Sequence, residues 1–302
     1  MTDAHVLLGR IGSEILLGRS VRLRKELARV AIEGLRLPMS NTSSALGIVE
    51  VADSHMERAI RAASVEEGAD PRDATLVAFG GAGPLHATAL ARRLEMERVI
   101  VPPYAGVFSA LGLLLSPVRA DTARSLAKMD RLEASIRGAA AEVGEEAGER
   151  LRAMGSEPDR VALVLDVRYL GQSHETHVPF MADEPWSEVE ARFHRQHEVA
   201  NGFARRGDPI EVVTVRGEAV SNPSVGWGDL RWSPDRGEAS RGSRTLFGPL
   251  GTTETAVFWR SCLGPGSRVT GPAVLEEAES TTYLASGERA TVLEDGSLEV
   301  TW

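Results

Sequence analysis

The feature that most constrains this chain is an apolar run broken by a glycine turn. Residues 74–79, ATLVAF, are short, apolar and β-prone, and they stop at GGAGP before the helix-favouring stretch LHATALARRL. The order is strand, turn, helix. Gly80, Gly81 and Gly83 permit positive φ and leave no side chain between the backbone and a ligand, and Pro84 suits the first turn of a helix. The free N–H groups and positive end of that helix can meet an anion or a ring nitrogen. The same turn can equally be only a tight connection, and the turn alone does not choose. ERVIVP at 97–102 reads as a second buried strand, PPYAG as a turn, and VFSALGLLLS as an apolar helix closed by Pro117. Strands alternating with helices predict a largely parallel α/β sheet up to about Asp121.

The flanking texture divides the chain. From Asn41 to Glu67, Leu46, Val49, Met56, Ile60 and Ala63 recur at helical spacing behind an Asn-Thr-Ser-Ser start that can cap. Residues 130–153, rich in Ala, Glu and Arg, read as a solvated helix; VALVLDVRYL and IEVVTVRGEAV read as strands flanking the helix PWSEVEARFHRQHEVA. After Asn222 comes a long Gly-, Ser-, Pro- and Trp-rich loop, then short strands separated by turns such as Pro265-Gly266 and Asp295-Gly296. The predicted organisation is an α/β region over 1–125, an α+β segment over 126–222, and a loop with a β-rich C-terminal module over 223–302.

Bulk properties exclude some functions. A net charge of -9 with scattered arginines argues against nucleic-acid binding, which needs clustered cations to displace phosphate counterions. No apolar run approaches the roughly 20 residues that span a bilayer, and MTDAHVLLGR lacks signal-peptide features, so the reading is soluble and cytoplasmic. The one cysteine, Cys262, has no disulfide or metal partner and reads as a packed β-region residue. His174 and His177 fall on opposite faces of a strand. His194 and His197 share a helix face without a carboxylate cluster, so no metal site is assigned. Ser109 lacks a nucleophile-elbow frame.

The segments LVAFGGAGPLHATALARRL and VIVPPYAGVFSALGLLLSPVRAD closely resemble the signature of the hydantoinase A/5-oxoprolinase family, which includes a subunit of acetone carboxylase. TDAHVLLGR, YLGQSHE, FHRQHEVANGF, IEVVTVRGEAV and GPAVLEEAESTTYLASGERATVLEDGSLEV follow in family order, so the resemblance covers nearly the whole chain. It implies a partial actin-like ATPase lobe, followed by the α+β segment and the all-β module. It also implies ATP-dependent opening of a small cyclic amide or imide, with Gly80, Gly81, Ala82, Gly83 and Pro84 receiving the adenosine end. The family's Asp-x-Gly-Gly-Thr phosphate-binding run is absent from these 302 residues. ATP with Mg2+ is therefore expected only in an enzyme completed by a hydantoinase A-type N-terminal half and a B-type subunit. The chain then reads as a split subunit, or alternatively as a truncated, non-catalytic relic or assembly module.

Three further residues are candidates for substrate or metal. Asp3 and His5 would face the interlobe cleft or else lie in a surface loop near a terminus; at His5 the family usually has Asn. His86 lies one turn into the helix after GGAGP, near enough to a nucleotide or substrate to act as donor or acid/base.

Overall fold

The computed structural model describes residues 1–13, 16–17, 21–66, 68–126 and 133–302. In chain order these form α1 (Thr2–Leu7), β1 (Leu16–Leu17), β2 (Val21–Arg22), α2 (Lys25–Glu33), α3 (Asn41–Glu66), β3 (Leu76–Val77), α4 (Gly83–Arg93), β4 (Val99–Val101) and α5 (Phe108–Leu114). Next come β5 (Val118–Ser125), α6 (Glu133–Ala153), β6 (Arg160–Tyr169), β7 (Thr176–Phe180), α7 (Trp186–Asn201) and β8 (Ile210–Ser221). The chain ends with β9 (Ser240–Gly248), β10 (Gly251–Trp259), β11 (Arg268–Thr270), β12 (Ala273–Glu276), β13 (Thr281–Leu284), β14 (Arg289–Val292) and β15 (Leu298–Thr301). The architecture is mixed α/β with several sheets.

Two units emerge, and the first is discontinuous: residues 1–113 with 228–302, and residues 114–227 between them. The C-terminal strands do not stand as a module of their own. β15 pairs antiparallel with β4, which pairs parallel with β3, giving a sheet ordered β11-β14-β15-β4-β3. Only β3 and β4 realise the parallel arrangement predicted up to Asp121; three antiparallel strands from the far end of the chain complete the sheet. One core joins both stretches, with Ala87, Ala91, Leu94 and Val99 packed among Leu275, Leu284, Leu298 and Val300. A second sheet, β13-β12-β10-β9, belongs to the same unit.

Helix α3 begins as its spacing requires, although the capping residue is Ser40, whose Oγ accepts the Ser43 N–H at 3.1 Å. Its predicted last residue, Glu67, lies outside the described residues.

The second unit is an antiparallel sheet ordered β5-β8-β6-β7, with α6 and α7 packed against it. β5, placed in the first segment from sequence, pairs with β8 along its whole length and belongs here. α6 is more than a solvated helix, since Ile136, Ala139, Ala140 and Val143 lie in the sheet's core. Alanine leaves little apolar bulk for a pattern to register, yet it allows close helix-to-sheet approach. Residues 130–132 of that reading lie outside the described residues.

Candidate functional site

The glycine turn closes against the C-terminal strands. Gly80 N–H donates to Ala105 O at 2.7 Å, Ser280 Oγ donates to Gly80 O at 3.0 Å, and Thr281 N–H donates to Gly81 O at 3.3 Å. A Cβ on Gly106 would come within 2.5 Å of Glu279, so the 277–280 loop wedges between GGAGP and PPYAG. That loop is pinned by Arg260, a buried guanidinium that donates to Val101 O, Pro102 O and Gly296 O and pairs with Glu277 at 3.0 Å. The three glycines differ in what they do. Only Gly80 has positive φ, at 84°; a Cβ on Gly81 would lie 3.1 Å from Glu279 O; a Cβ on Gly83 would meet nothing within 4 Å. Ala82 is exposed and Pro84 is buried at the start of α4. The turn is rigid on its protein side and open on the other.

Beneath the turn, side chains from α1, α3 and α4 meet. His86 Nδ1 lies 2.6 Å from Asp53 Oδ1, and His86 Nε2 lies 3.1 Å from His5 Nε2, with the two rings edge to face. All three residues are buried. The expected loop around His5 is instead the helix α1, because Ala4, Leu7 and Leu8 pack with Ala45 and Val49 of α3 and turn His5 inward. Asp3, two positions earlier and so on another face of the helix, is exposed.

With Asp53 ionised and His86 neutral, the hydrogen-bond chain sets the tautomers. A carboxylate accepts only, so His86 Nδ1 carries a proton; a neutral His86 then accepts at Nε2, and His5 must donate from its own Nε2. This leaves a bare lone pair on His5 Nδ1, a buried atom with no protein partner. His5 stays neutral, its pKa lowered to about 3 by burial first, then by the neighbouring His86 and Arg10. Chemically the array can pass a proton: one delivered to His5 Nδ1 would release the Nε2 proton to His86, beside the Asp53 carboxylate.

Next to Asp53 opens a cavity of about 470 Å³, lined also by Arg10, Leu85, Thr88 and Tyr283. Arg10 stacks on the Tyr283 ring at 4.6 Å, and burial lowers its pKa and raises that of Tyr283. Sequence reasoning missed Asp53, Arg10 and Tyr283. Asp53 had a legible signal: at 46, 49, 53, 56 and 60 it falls in line with the apolar stripe of α3, where an unpaired carboxylate would be costly. Arg10 and Tyr283 had none, since only folding brings the two ends of the chain together.

Of the remaining histidines, His177, His194 and His197 have structural partners in the second unit, and His55 and His174 are exposed. Arg205 N–H donates to the Tyr169 hydroxyl, which bonds His194 Nδ1 at 2.8 Å; His197 Nδ1 donates to Phe203 O; His177 meets Asp166 at 2.6 Å. A cavity of about 700 Å³ there is lined by Arg119, Asp121 and Arg216, but its charges pair with one another and with Asp166. Cys262 sits half-buried in a single 3-10 turn after β10, and Ser109 is exposed on α5. Among the described residues no three His, Cys, Asp or Glu side chains gather to hold a metal ion, and no helix is long and apolar enough to cross a membrane.

A strand–glycine turn–helix unit, completed by C-terminal strands and enclosing a carboxylate-histidine pair, defines a mixed α/β fold that occurs in solved ATP-dependent enzymes. Over 99% of its length the chain superposes on nucleotide-free acetone carboxylase with a TM-score of 0.80 at 21% identity, covering 46% of that chain. The profile of the hydantoinase/oxoprolinase family matches residues 1–122, and that of the hydantoinase/oxoprolinase C-terminal domain matches residues 123–298. The chain belongs to the hydantoinase/oxoprolinase family. It is 27% identical to the caprolactamase subunit alpha of Pseudomonas jessenii over 100% of this chain and 46% of that protein; the solved ATP-dependent caprolactamase superposes with a TM-score of 0.67 at 26% identity, over 99% of this chain and 46% of that one. An uncharacterized protein of Methanocaldococcus jannaschii is 36% identical over 99% of this chain and 44% of its own length. The chain thus spans less than half the length of these relatives.

Proposed function

We propose that this chain supplies the adenosine-side loop and the substrate-side proton relay of an ATP-dependent enzyme that opens a cyclic amide or imide, completed by a phosphate-binding half supplied in cis or in trans. The observation that carries the reading is the open face of the glycine turn. Gly83 has free space where a side chain would stand, Ala82 is exposed beside it, and no side chain caps the N-terminus of α4. ATP fits such a backbone cradle. When bound, it supplies phosphoryl transfer to activate the amide, with Mg2+ carried on its phosphates. The chain's own part is to hold the adenosine end at residues 80–84 and to keep His86, one turn along α4, tied to Asp53 and His5.

The completing half has a surface to meet. Phe79, Tyr104, Val107 and Leu113 are exposed and flank the glycine turn in sequence, whereas Leu85, Ala87, Leu90 and Ala91 of α4 are buried in the unit's own core and offer no docking face. Those exposed residues, in a chain that covers 46% of the caprolactamase subunit, fit an interface with the remaining half. A B-type subunit is the further partner of this reading, and the family enzymes with named subunits support it.

The test is an ATPase and ring-opening assay of the chain alone and after addition of the phosphate-binding half and a B-type subunit. Activity confined to the assembled enzyme is expected. Turnover by the chain alone that survives repurification would overturn the division of labour. A folded chain that no partner half activates would leave the second reading, an assembly module without catalysis.

A further inference from the structure

The cavity beside Asp53 carries an unmatched pair of hydrogen-bonding poles. Asp53 bonds His86 through Oδ1 and uses Oδ2 for no protein hydrogen bond among the described residues, and Oδ2 is not among the enclosed unpartnered atoms. Arg10 faces the same cavity, half-buried, and among the described residues makes no ion pair or hydrogen bond to a carboxylate; the Tyr283 ring is its contact, and Asp53 is near enough to attract it. The other charges on the wall are satisfied. Arg93 pairs with Glu50, and Arg92 pairs with Glu288 at 3.2 Å. The lining therefore holds three arginines, Arg10, Arg92 and Arg93, against three carboxylates, Glu50, Asp53 and Glu288.

A charge-balanced cavity favours a neutral ligand. Its open charged donor is the guanidinium of Arg10 and its open charged acceptor is Asp53, with the hydroxyls of Thr88 and Tyr283 beside them, and Leu46, Val49 and Leu85 form the apolar wall. A ligand that complements them must present one acceptor and one donor on the same edge. An open-chain secondary amide does not, because its trans geometry sends C=O and N–H to opposite edges. A lactam or cyclic imide does, because the ring locks the amide cis.

We infer that this cavity is the subsite for the cyclic amide: Arg10 donates to the ring carbonyl, Asp53 accepts from the ring N–H, and the methylenes lie against Leu46, Val49 and Leu85. The assignment rests on the function proposed above for its substrate class, but it concerns different residues from the nucleotide turn. Arg10 placed on the carbonyl oxygen also withdraws electron density where attack on the amide begins. Asp53 links the bound N–H to His86, so ligand binding and the proton relay share one carboxylate.

The experiment is a ligand-observed NMR titration of the full chain without nucleotide, using 2-pyrrolidone, its N-methyl derivative, open-chain N-methylacetamide and acetate as probes. 2-Pyrrolidone should bind, and both the N-methyl and the open-chain amide should bind about tenfold more weakly, as expected for losing one good hydrogen bond, roughly 1.4 kcal/mol. Arg10→Met, which keeps the stem over Tyr283, should weaken 2-pyrrolidone by a similar factor. Asp53→Ala, which removes the acceptor, should abolish the preference for N–H over N-methyl. Circular dichroism and melting curves show whether each variant is folded; if Asp53→Ala does not fold, the N-methyl comparison and Arg10→Met decide the matter. Equal binding of 2-pyrrolidone and its N-methyl derivative, an unchanged affinity in folded Arg10→Met, or acetate outcompeting the lactam would overturn the assignment. None of these readouts involves ATP, so a failure here leaves the nucleotide reading standing, and the converse also holds.

Discussion

Replacing Gly83 by valine separates a ligand cradle from a tight turn. Three glycines share the turn but respond differently to a side chain. At Gly80 a side chain has space yet must adopt φ of 84°, where an L-residue is strained by about 1–2 kcal/mol. At Gly81 the added Cβ would press within 3.1 Å of Glu279 O, so the 277–280 loop must shift. At Gly83 neither penalty applies, because the backbone is helical and nothing lies within 4 Å. Gly83→Val should therefore cost less than Gly80→Val, about 1 kcal/mol, set by the Pro84 ring, which crowds a preceding Cβ in the helical region. If adenosine lies against this backbone, the branched side chain occupies its path. The nucleotide dissociation constant should then rise at least about tenfold, roughly 1.4 kcal/mol. The assay is equilibrium binding of a fluorescent ATP analogue to the assembled enzyme, with melting curves of Gly83→Val and Gly80→Val in parallel. Gly80→Val should melt lower than Gly83→Val. A Gly83→Val protein that folds normally and binds nucleotide like wild type would refute the reasoning and leave GGAGP as a connection between β3 and α4.

Three other outcomes are expected. Because the pKa of His5 drops from 6.5 unfolded to about 3 folded, the unfolded chain binds the extra proton between these values. Stability is full above about pH 6.5 and falls as pH drops toward 3, with a slope of at most about 1.4 kcal/mol per pH unit; in His5→Asn, melting temperature against pH should be flatter in that window, and identical profiles would show that His5 is not buried neutral. Arg260→Met strands the half-buried Glu277 and three backbone carbonyls, so denaturant unfolding should show a loss of about 3–5 kcal/mol, and a loss below about 1 kcal/mol would mean the pin is dispensable. Leu113→Arg, at a side chain 79% exposed, should leave the melting curve unchanged and weaken co-elution with the phosphate-binding half on size exclusion; unimpaired co-elution would place the interface elsewhere.

Some of this protein is legible from residue order alone. The strand, the turn and α4 follow from a short apolar run, three glycines and a proline, all local signals. The amphipathic α3 follows from its spacing, and the sequence pattern carries the family resemblance. The lateral neighbours of β4 are a different matter. Its sequence, Val-Ile-Val, suits any buried strand, and only the packing of Leu298 and Val300 against Val99 and Val101 selects β15, from the far end of the chain, as its partner. The same long-range closure makes the first unit discontinuous around residues 114–227.

The site divides along the same line. Residue types and local spacing point to Gly80–Pro84, His5 and His86 one at a time. Their grouping with Asp53, and the approach of Arg10 to Tyr283, depend on helix packing angles and strand register that no window of neighbouring residues contains. Periodicity reports which face of an element is buried, because burial repeats with the element's own geometry. It carries no information about what that face is buried against, which the free energy of the whole packed chain decides.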